Sequence, residues 1–156
     1  METKKHSMAP GWITVFAILI LDQAVKLYVE ASYTLGTSIP IIEGVFHFTY
    51  IQNPGAAFSM LEHQRWFFIG INLILFCVVA WYYRRISREN GWIRYGLALL
   101  FGGAMGNLIA RLRLGAVIDF FDFRIWPVFN IADIGICVGV AMMMYSIAFL
   151  STDEEA

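Results

Sequence analysis

From Trp66 to Tyr83 the chain reads WFFIGINLILFCVVAWYY, 18 residues without a charge. At a rise of about 1.5 Å per residue, such a run nearly covers the ~30 Å hydrocarbon core of a bilayer. In lipid the backbone must satisfy its own polar groups, so the run has to be a helix. Three more apolar runs accompany it, at about 12–29, 95–109 and 131–150. The chain has 156 residues, of which 59% are hydrophobic and 15% charged. Soluble domains lie nearer half apolar and about a quarter charged. The expected fold is therefore mainly α and integral to a membrane: a four-transmembrane-helix bundle forming a single domain over residues 1–156.

The N-terminal stretch has a basic start and an apolar run, as a signal peptide does. No small-residue cleavage site follows, and Asp22 and Lys26 come instead, so it reads as a retained first span. Aromatic residues such as Trp12, Tyr28, Trp66, Trp81 and Trp92 sit near span ends, as interfacial belts do. Arg84, Arg85, Arg88 and Arg94 fall in one short loop, and Lys4 and Lys5 precede the first span. The positive-inside rule places both groups, and with them both termini, in the cytoplasm. Arg111, Arg113 and Arg124 oppose this asymmetry without outweighing it.

The segment from about 31 to 65 is then extracytoplasmic. Val45 to Gln52 is rich in aromatic and β-branched residues and reads as a strand. Asn53-Pro54-Gly55-Ala56 fits a type II turn, with proline second and glycine third. Residues 56–60 would return as a second strand. Open edges cannot face lipid, so this small β-hairpin or β-cradle must cap the outer end of the bundle.

Polar residues inside so apolar a frame mark function by default. Asp22 and Lys26 are four apart on one helix face and can pair, with Lys26 close enough to the outer surface to snorkel. Gly102, Gly103 and Gly106 would let a neighbouring backbone approach. Asn107 and Arg111 are also four apart, and Arg111 could hold a carboxylate or a carbonyl. Asp119 and Asp133 both lie beside span ends, and Asn130 precedes Asp133 by one helical turn. Spacing alone leaves two uses open for these acids, catalysis and helix capping. Asp122 is an internal competitor for the catalytic role. Cys77 and Cys137 lie in apolar runs and read as buried small hydrophobes. The histidines His6, His47 and His63 lack ligand spacing, so no metal is expected. A net charge of −1 gives no reason to expect nucleic acid.

Together, LDQAVKLYV around Asp22 and Lys26, QNPGAAFSM from Gln52, GGAMGNLIARLRLGAVIDFFDF from Gly102 and FNIAD ending at Asp133 resemble the bacterial lipoprotein signal peptidases (signal peptidase II). The resemblance runs through nearly the whole chain in order. It implies a four-span aspartic endopeptidase of the inner membrane. Such an enzyme removes the signal peptide of a prolipoprotein before a diacylglyceryl-modified cysteine, at the extracytoplasmic lipid boundary. By motif, Asp119 and Asp133 match the catalytic pair. Asn53, Gly55, Ala57 and Phe58 match the outer loop near the substrate. Asn107, Arg111 and Asn130 match the polar shell, and Asp22 and Lys26 match a structural pair in the first span. It implies no cofactor and a block by cyclic peptides of the globomycin type. Three features depart from the family pattern: Ala110 where an acid is usual, a short stretch between Asp119 and Asp133, and Ile134-Gly135 after FNIAD. Two rival readings are a small proton-coupled transporter relaying through Asp22, Lys26 and Arg111, and a scaffolding bundle without chemistry.

Overall fold

The computed structural model describes residues 9–55, 61, 64–86 and 90–150. Its elements are α1 (Ala9–Ser32), β1 (Ser38–Ile42), β2 (Phe46–Asn53), α2 (Arg65–Ile86), α3 (Gly91–Leu114), β3 (Val117–Asp122) and α4 (Ile131–Tyr145), which closes in a π-helical turn at Ser146–Leu150. α1, α3 and the run Ile131–Leu150 are long and apolar enough to cross a membrane. The described apolar stretch of α2, Arg65–Trp81, is shorter. Among the described residues, three helical runs therefore meet the length and hydropathy of a span.

Local chemistry sets the ends of α3. The Asn90 side chain accepts the Trp92 and Ile93 N–H groups at its start. At its end Gly115 turns left-handed at φ 77° and returns its N–H to the Arg111 carbonyl. The helix thus begins four residues before the expected Tyr95 and ends five past Ile109. The β-branched and aromatic run Val117-Ile118-Asp119-Phe120-Phe121 then leaves directly as β3.

α3 is the central helix and packs against α1, α2 and α4. Its glycines make that possible. A Cβ at Gly102 would strike Val15 and Ile18 of α1, and one at Gly103 would strike the Ala132 carbonyl of α4. Gly96 and Gly139 face each other across α3 and α4 on the same terms. The exterior is apolar, with Ile13, Phe16, Ile20, Ile74 and Val78 exposed, while Asp22 and Lys26 are 0% and 1% exposed. That inversion suits a lipid surround. Lys26 does not snorkel; its ammonium is enclosed by the bundle. Cys77 and Cys137 are both exposed on helix surfaces, not buried as the apolar runs implied.

The sheet caps the end of the bundle where α1 and α3 finish and α2 and α4 begin. Its order is β1-β2-β3, all antiparallel. The hairpin differs from the expected one. β2 turns back through Gly44 (φ 71°) onto β1, which precedes it, and its other edge takes β3 from the far side of the chain. The expected return strand at 56–60 lies outside the described residues. The expected type II turn ends at Ala56, also outside the described residues; Asn53 Oδ1 accepts the Gly55 N–H at 2.9 Å, an Asx turn. The outer edge of β3 is covered by Phe129, which exchanges backbone bonds with Phe121 at 2.8 and 3.1 Å.

A buried cluster of Val29, Tyr50, Ile118 and Phe120 rivets the sheet to the end of α1. Alternation along β3 sends Ile118 and Phe120 into this cluster and leaves Asp119 on the opposite face. A bulge in β2 between Phe48 and Ile51 brings Ile51 opposite Asp119.

Candidate active site

The site is assembled where β3 and the start of α4 meet α3. α4 opens on a capping box. Asn130 Oδ1 accepts the Asp133 N–H at 3.0 Å, and Asp133 Oδ2 accepts the Asn130 N–H at 3.1 Å. A further free donor of that first turn, the Ala132 N–H, reaches Asp22 Oδ1 of α1 at 3.0 Å. Capping therefore does not exclude a second use for Asp133: its Oδ2 closes the box, and its Oδ1 is left outside it.

Asp119 Oδ1 accepts Asn130 Nδ2 at 2.6 Å, and its Oδ2 accepts Asn53 Nδ2 at 3.1 Å. Asp133 Oδ1 accepts Asn107 Nδ2 at 2.8 Å. Asn130 thus touches both aspartates, one through its side chain and one through its backbone. Each carboxyl receives two donors, and both line one cavity of about 250 Å³ together with Asn53, Gly55, Asn107 and Arg111. Burial, followed by the neighbouring charge of Asp133, pushes the Asp119 carboxyl up to about 7, against the opposing bonds from Asn53 and Asn130.

The remaining candidates fall around this pair. Lys26 Nζ donates to Asp22 Oδ2 at 2.9 Å and to Asn107 Oδ1 at 2.8 Å, so the first-span pair connects to the shell. Arg111 takes the carbonyl option: Nη2 donates to the Gly55 carbonyl at 2.9 Å, and its guanidinium lies 4.5 Å from the Phe68 ring centroid. Ala57 and Phe58 lie outside the described residues. Gln23 was not picked out from the sequence. Its Nε2 bridges Asp22 Oδ2 and the Gly106 carbonyl at 3.0 and 3.1 Å. Its one visible signal is its place beside Asp22. Trp126, Pro127 and Val128, which wall the cavity, were missed as well. They carry no chemistry by residue type and are brought in by the Phe121–Phe129 bridge.

Asp122 keeps other company. It accepts Thr49 Oγ1 at 2.8 Å, the Arg124 N–H at 2.9 Å and Arg124 Nη1 at 3.2 Å. Burial is the largest influence on its carboxyl and acts upward. The Thr49 and Arg124 bonds together overcome it and hold Asp122 below the usual carboxylate range. Asp122→Ala is expected to retain cleavage within about threefold, with the loss confined to local stability of about 1 kcal/mol. Initial rates and thermal unfolding in detergent check both.

Gly106 is where the first-span pair depends most on a missing side chain. A Cβ there would overlap the Asp22 carboxylate. Gly106→Ala is expected to lower stability by about 1–3 kcal/mol, the usual range for overpacking. The measurement is the unfolding temperature in detergent, and an unchanged value contradicts the tight approach.

Residues 14–149 match the family model described as signal peptidase (SPase) II. The chain belongs to the signal peptidase II family. It is 45% identical over 133 residues to a lipoprotein signal peptidase of Halothermothrix orenii, covering 85% of this chain and 91% of that one. A lipoprotein signal peptidase of Pelotomaculum thermopropionicum is 43% identical over 136 residues, with 87% and 90% covered. Among solved structures, a bacterial membrane enzyme determined by the in meso method at 2.3 Å resolution superposes with a TM-score of 0.89. It is 29% identical, with 99% of this chain and 96% of that chain covered. Membership makes the chain a membrane peptidase that removes signal peptides from prolipoproteins. The transporter reading finds no support.

Proposed function

We propose that the chain is an aspartic endopeptidase in which Asp119 and Asp133 cleave a prolipoprotein just before its diacylglyceryl-modified cysteine. The observation that carries this reading is the Asn130 link, which ties both carboxyls to the wall of one cavity. Two carboxyls so placed cannot both ionise cheaply, and share one proton. The ionised member takes a proton from a water held between them, and that water attacks the scissile carbonyl. The protonated member donates to the carbonyl oxygen, giving a gem-diol; on collapse the other member passes the proton it took from water to the leaving amine, and the first recovers a proton from a gem-diol hydroxyl. The titration belongs to the pair, so neither aspartate is assigned as the starting base.

The other residues position. Asn53, Asn107 and Asn130 fix the carboxyl planes through the bonds given above. Arg111 holds Gly55 through its carbonyl, and Ala57 and Phe58 contact the substrate by motif. α2 forms the fourth span, with both termini cytoplasmic and the sheet extracytoplasmic in the bacterial inner membrane. The acyl chains of the modified cysteine then stay in lipid while its peptide bond meets the dyad at the interface. Cyclic peptides of the globomycin type compete for the same cavity.

The test is the pH dependence of cleavage of a diacylglyceryl prolipoprotein. Below about pH 7 the pair keeps its shared proton; above it that proton leaves and the general acid is lost. Turnover is expected to fall on the alkaline side with a midpoint near pH 7, where an isolated carboxyl would have ionised near 4. Rates that stay flat through that range, or that resist globomycin, contradict the reading.

A further inference from the structure

Five ionisable side chains are enclosed at this end of the bundle, and their charges nearly balance. Lys26 pairs with Asp22 at 2.9 Å, and both are almost wholly buried. Arg111 is 8% exposed and lines the cavity with Asp119 and Asp133. Among the described residues, the salt bridges do not join either cation to either cavity aspartate. The two cations less Asp22 leave one positive charge. A pair of aspartates holding one proton carries one negative charge and cancels it. A net charge in so enclosed a setting is disfavoured. The doubly protonated pair would leave the enclosure at plus one, and the doubly ionised pair at minus one.

We propose that Lys26 is a positioning residue of the dyad, whose ammonium, acting through Asn107, selects the singly protonated state of Asp119 and Asp133. The route is a chain of hydrogen bonds. Lys26 Nζ donates to Asn107 Oδ1, which also receives Asn130 Nδ2 at 3.2 Å. With its oxygen so occupied, Asn107 must present Nδ2 to Asp133. Asn130, likewise oriented, presents Nδ2 to Asp119. A cation at Lys26 therefore fixes both amides as donors toward the pair, which favours carboxylate over carboxylic acid. The structural pair expected from the sequence thereby acquires an electrostatic task. The inference rests on the catalytic reading of Asp119 and Asp133.

The groups facing the pair are Asp22 and Lys26 from α1, Arg111 from α3, and Cys137 from α4. β2 contributes the neutral Asn53. Arg124 is engaged by Asp122, and Glu30 by Arg113 at the rim. Of these, Lys26 and Arg111 are the cations, and Lys26 is the one wired to the pair through an amide.

The experiment is the pH profile of cleavage for Lys26→Gln, Asp22→Asn/Lys26→Gln and the parent chain, using a synthetic diacylglyceryl prolipopeptide in detergent. Lys26→Gln keeps a donor toward Asn107 and removes the charge. Its bell-shaped profile is expected to move to higher pH by about one unit, because the pair now holds its protons longer. Asp22→Asn/Lys26→Gln restores the charge balance and is expected to bring the profile back to the parent position with a lower plateau. A Lys26→Gln profile superimposable on the parent, or a double variant that stays displaced, overturns the proposal. Should Lys26→Gln not accumulate as folded protein, Arg111→Gln reads the same balance. Its profile must also move to higher pH, and an unmoved one overturns the charge argument. The dyad itself is judged separately, by loss of turnover in Asp119→Asn at every pH. A displaced profile therefore cannot be confused with a failed mechanism.

Discussion

Asp119→Asn and Asp133→Asn are expected to insert, fold and lose cleavage of a diacylglyceryl prolipoprotein by at least about 10³-fold. General acid and base roles commonly contribute about 10²–10⁴ each, and one substitution removes both from a pair that works as a unit. The fold should survive. Each asparagine retains one acceptor oxygen where the aspartate offered two, so one hydrogen bond is lost at each position. That costs about 1 kcal/mol, well short of what unfolds a domain. At Asp133 the half of the capping box that uses its backbone N–H is untouched, and the oxygen kept can still accept the Asn130 N–H. Unfolding temperatures in detergent separate a dead enzyme from an unfolded one. Retained turnover in either folded variant removes that residue from the mechanism.

Asn130→Ala is the second large effect. This one side chain caps α4, donates to Asp119 and donates to Asn107. Losing an N-cap costs about 0.5–2 kcal/mol. Losing the bond to Asp119 leaves a buried carboxyl with one donor and frees it to turn. Turnover is expected to fall about 10²-fold, a loss comparable to a misplaced catalytic group. Asn130→Ser distinguishes the two roles. Serine caps a helix nearly as well, yet its hydroxyl is too short to span from the helix start to Asp119. The expected outcome is stability close to the parent with turnover still depressed. If Asn130→Ser restores both, the residue is a cap alone.

Much of this arrangement was legible in the residues, and the reason is the membrane. A solvent without hydrogen-bonding capacity makes each charge inside it conspicuous, so Asp22, Lys26, Arg111, Asp119 and Asp133 could be picked out individually. The i, i+4 spacing of Asp22 and Lys26 and the i, i+3 spacing of Asn130 and Asp133 became contacts because helical geometry leaves little choice. The run of glycines at 102, 103 and 106 likewise became the close faces of α3.

What stayed hidden was non-local. The strand Val117–Asp122 carries the β-branched and aromatic residues of a strand, but no local rule names β2 as its partner across some 70 residues. Nor does the turn sequence Asn-Pro-Gly reveal that Asn53 will spend its oxygen on Gly55 and its amide on Asp119. The cysteines were misjudged for a related reason. In a bundle whose outside is lipid, an apolar run does not tell the inner face from the outer one; Cys77 and Cys137 are both exposed, and Cys137 borders the site cavity.

The most direct measurement compares the purified chain with Asp119→Asn/Asp133→Asn on a diacylglyceryl prolipoprotein, with products read by mass spectrometry. The parent should release the signal peptide and leave a mature chain beginning at the lipid-modified cysteine, while the double variant, folded to the same extent, should release none. Release of that product by the folded double variant would contradict a reaction carried by this carboxyl pair.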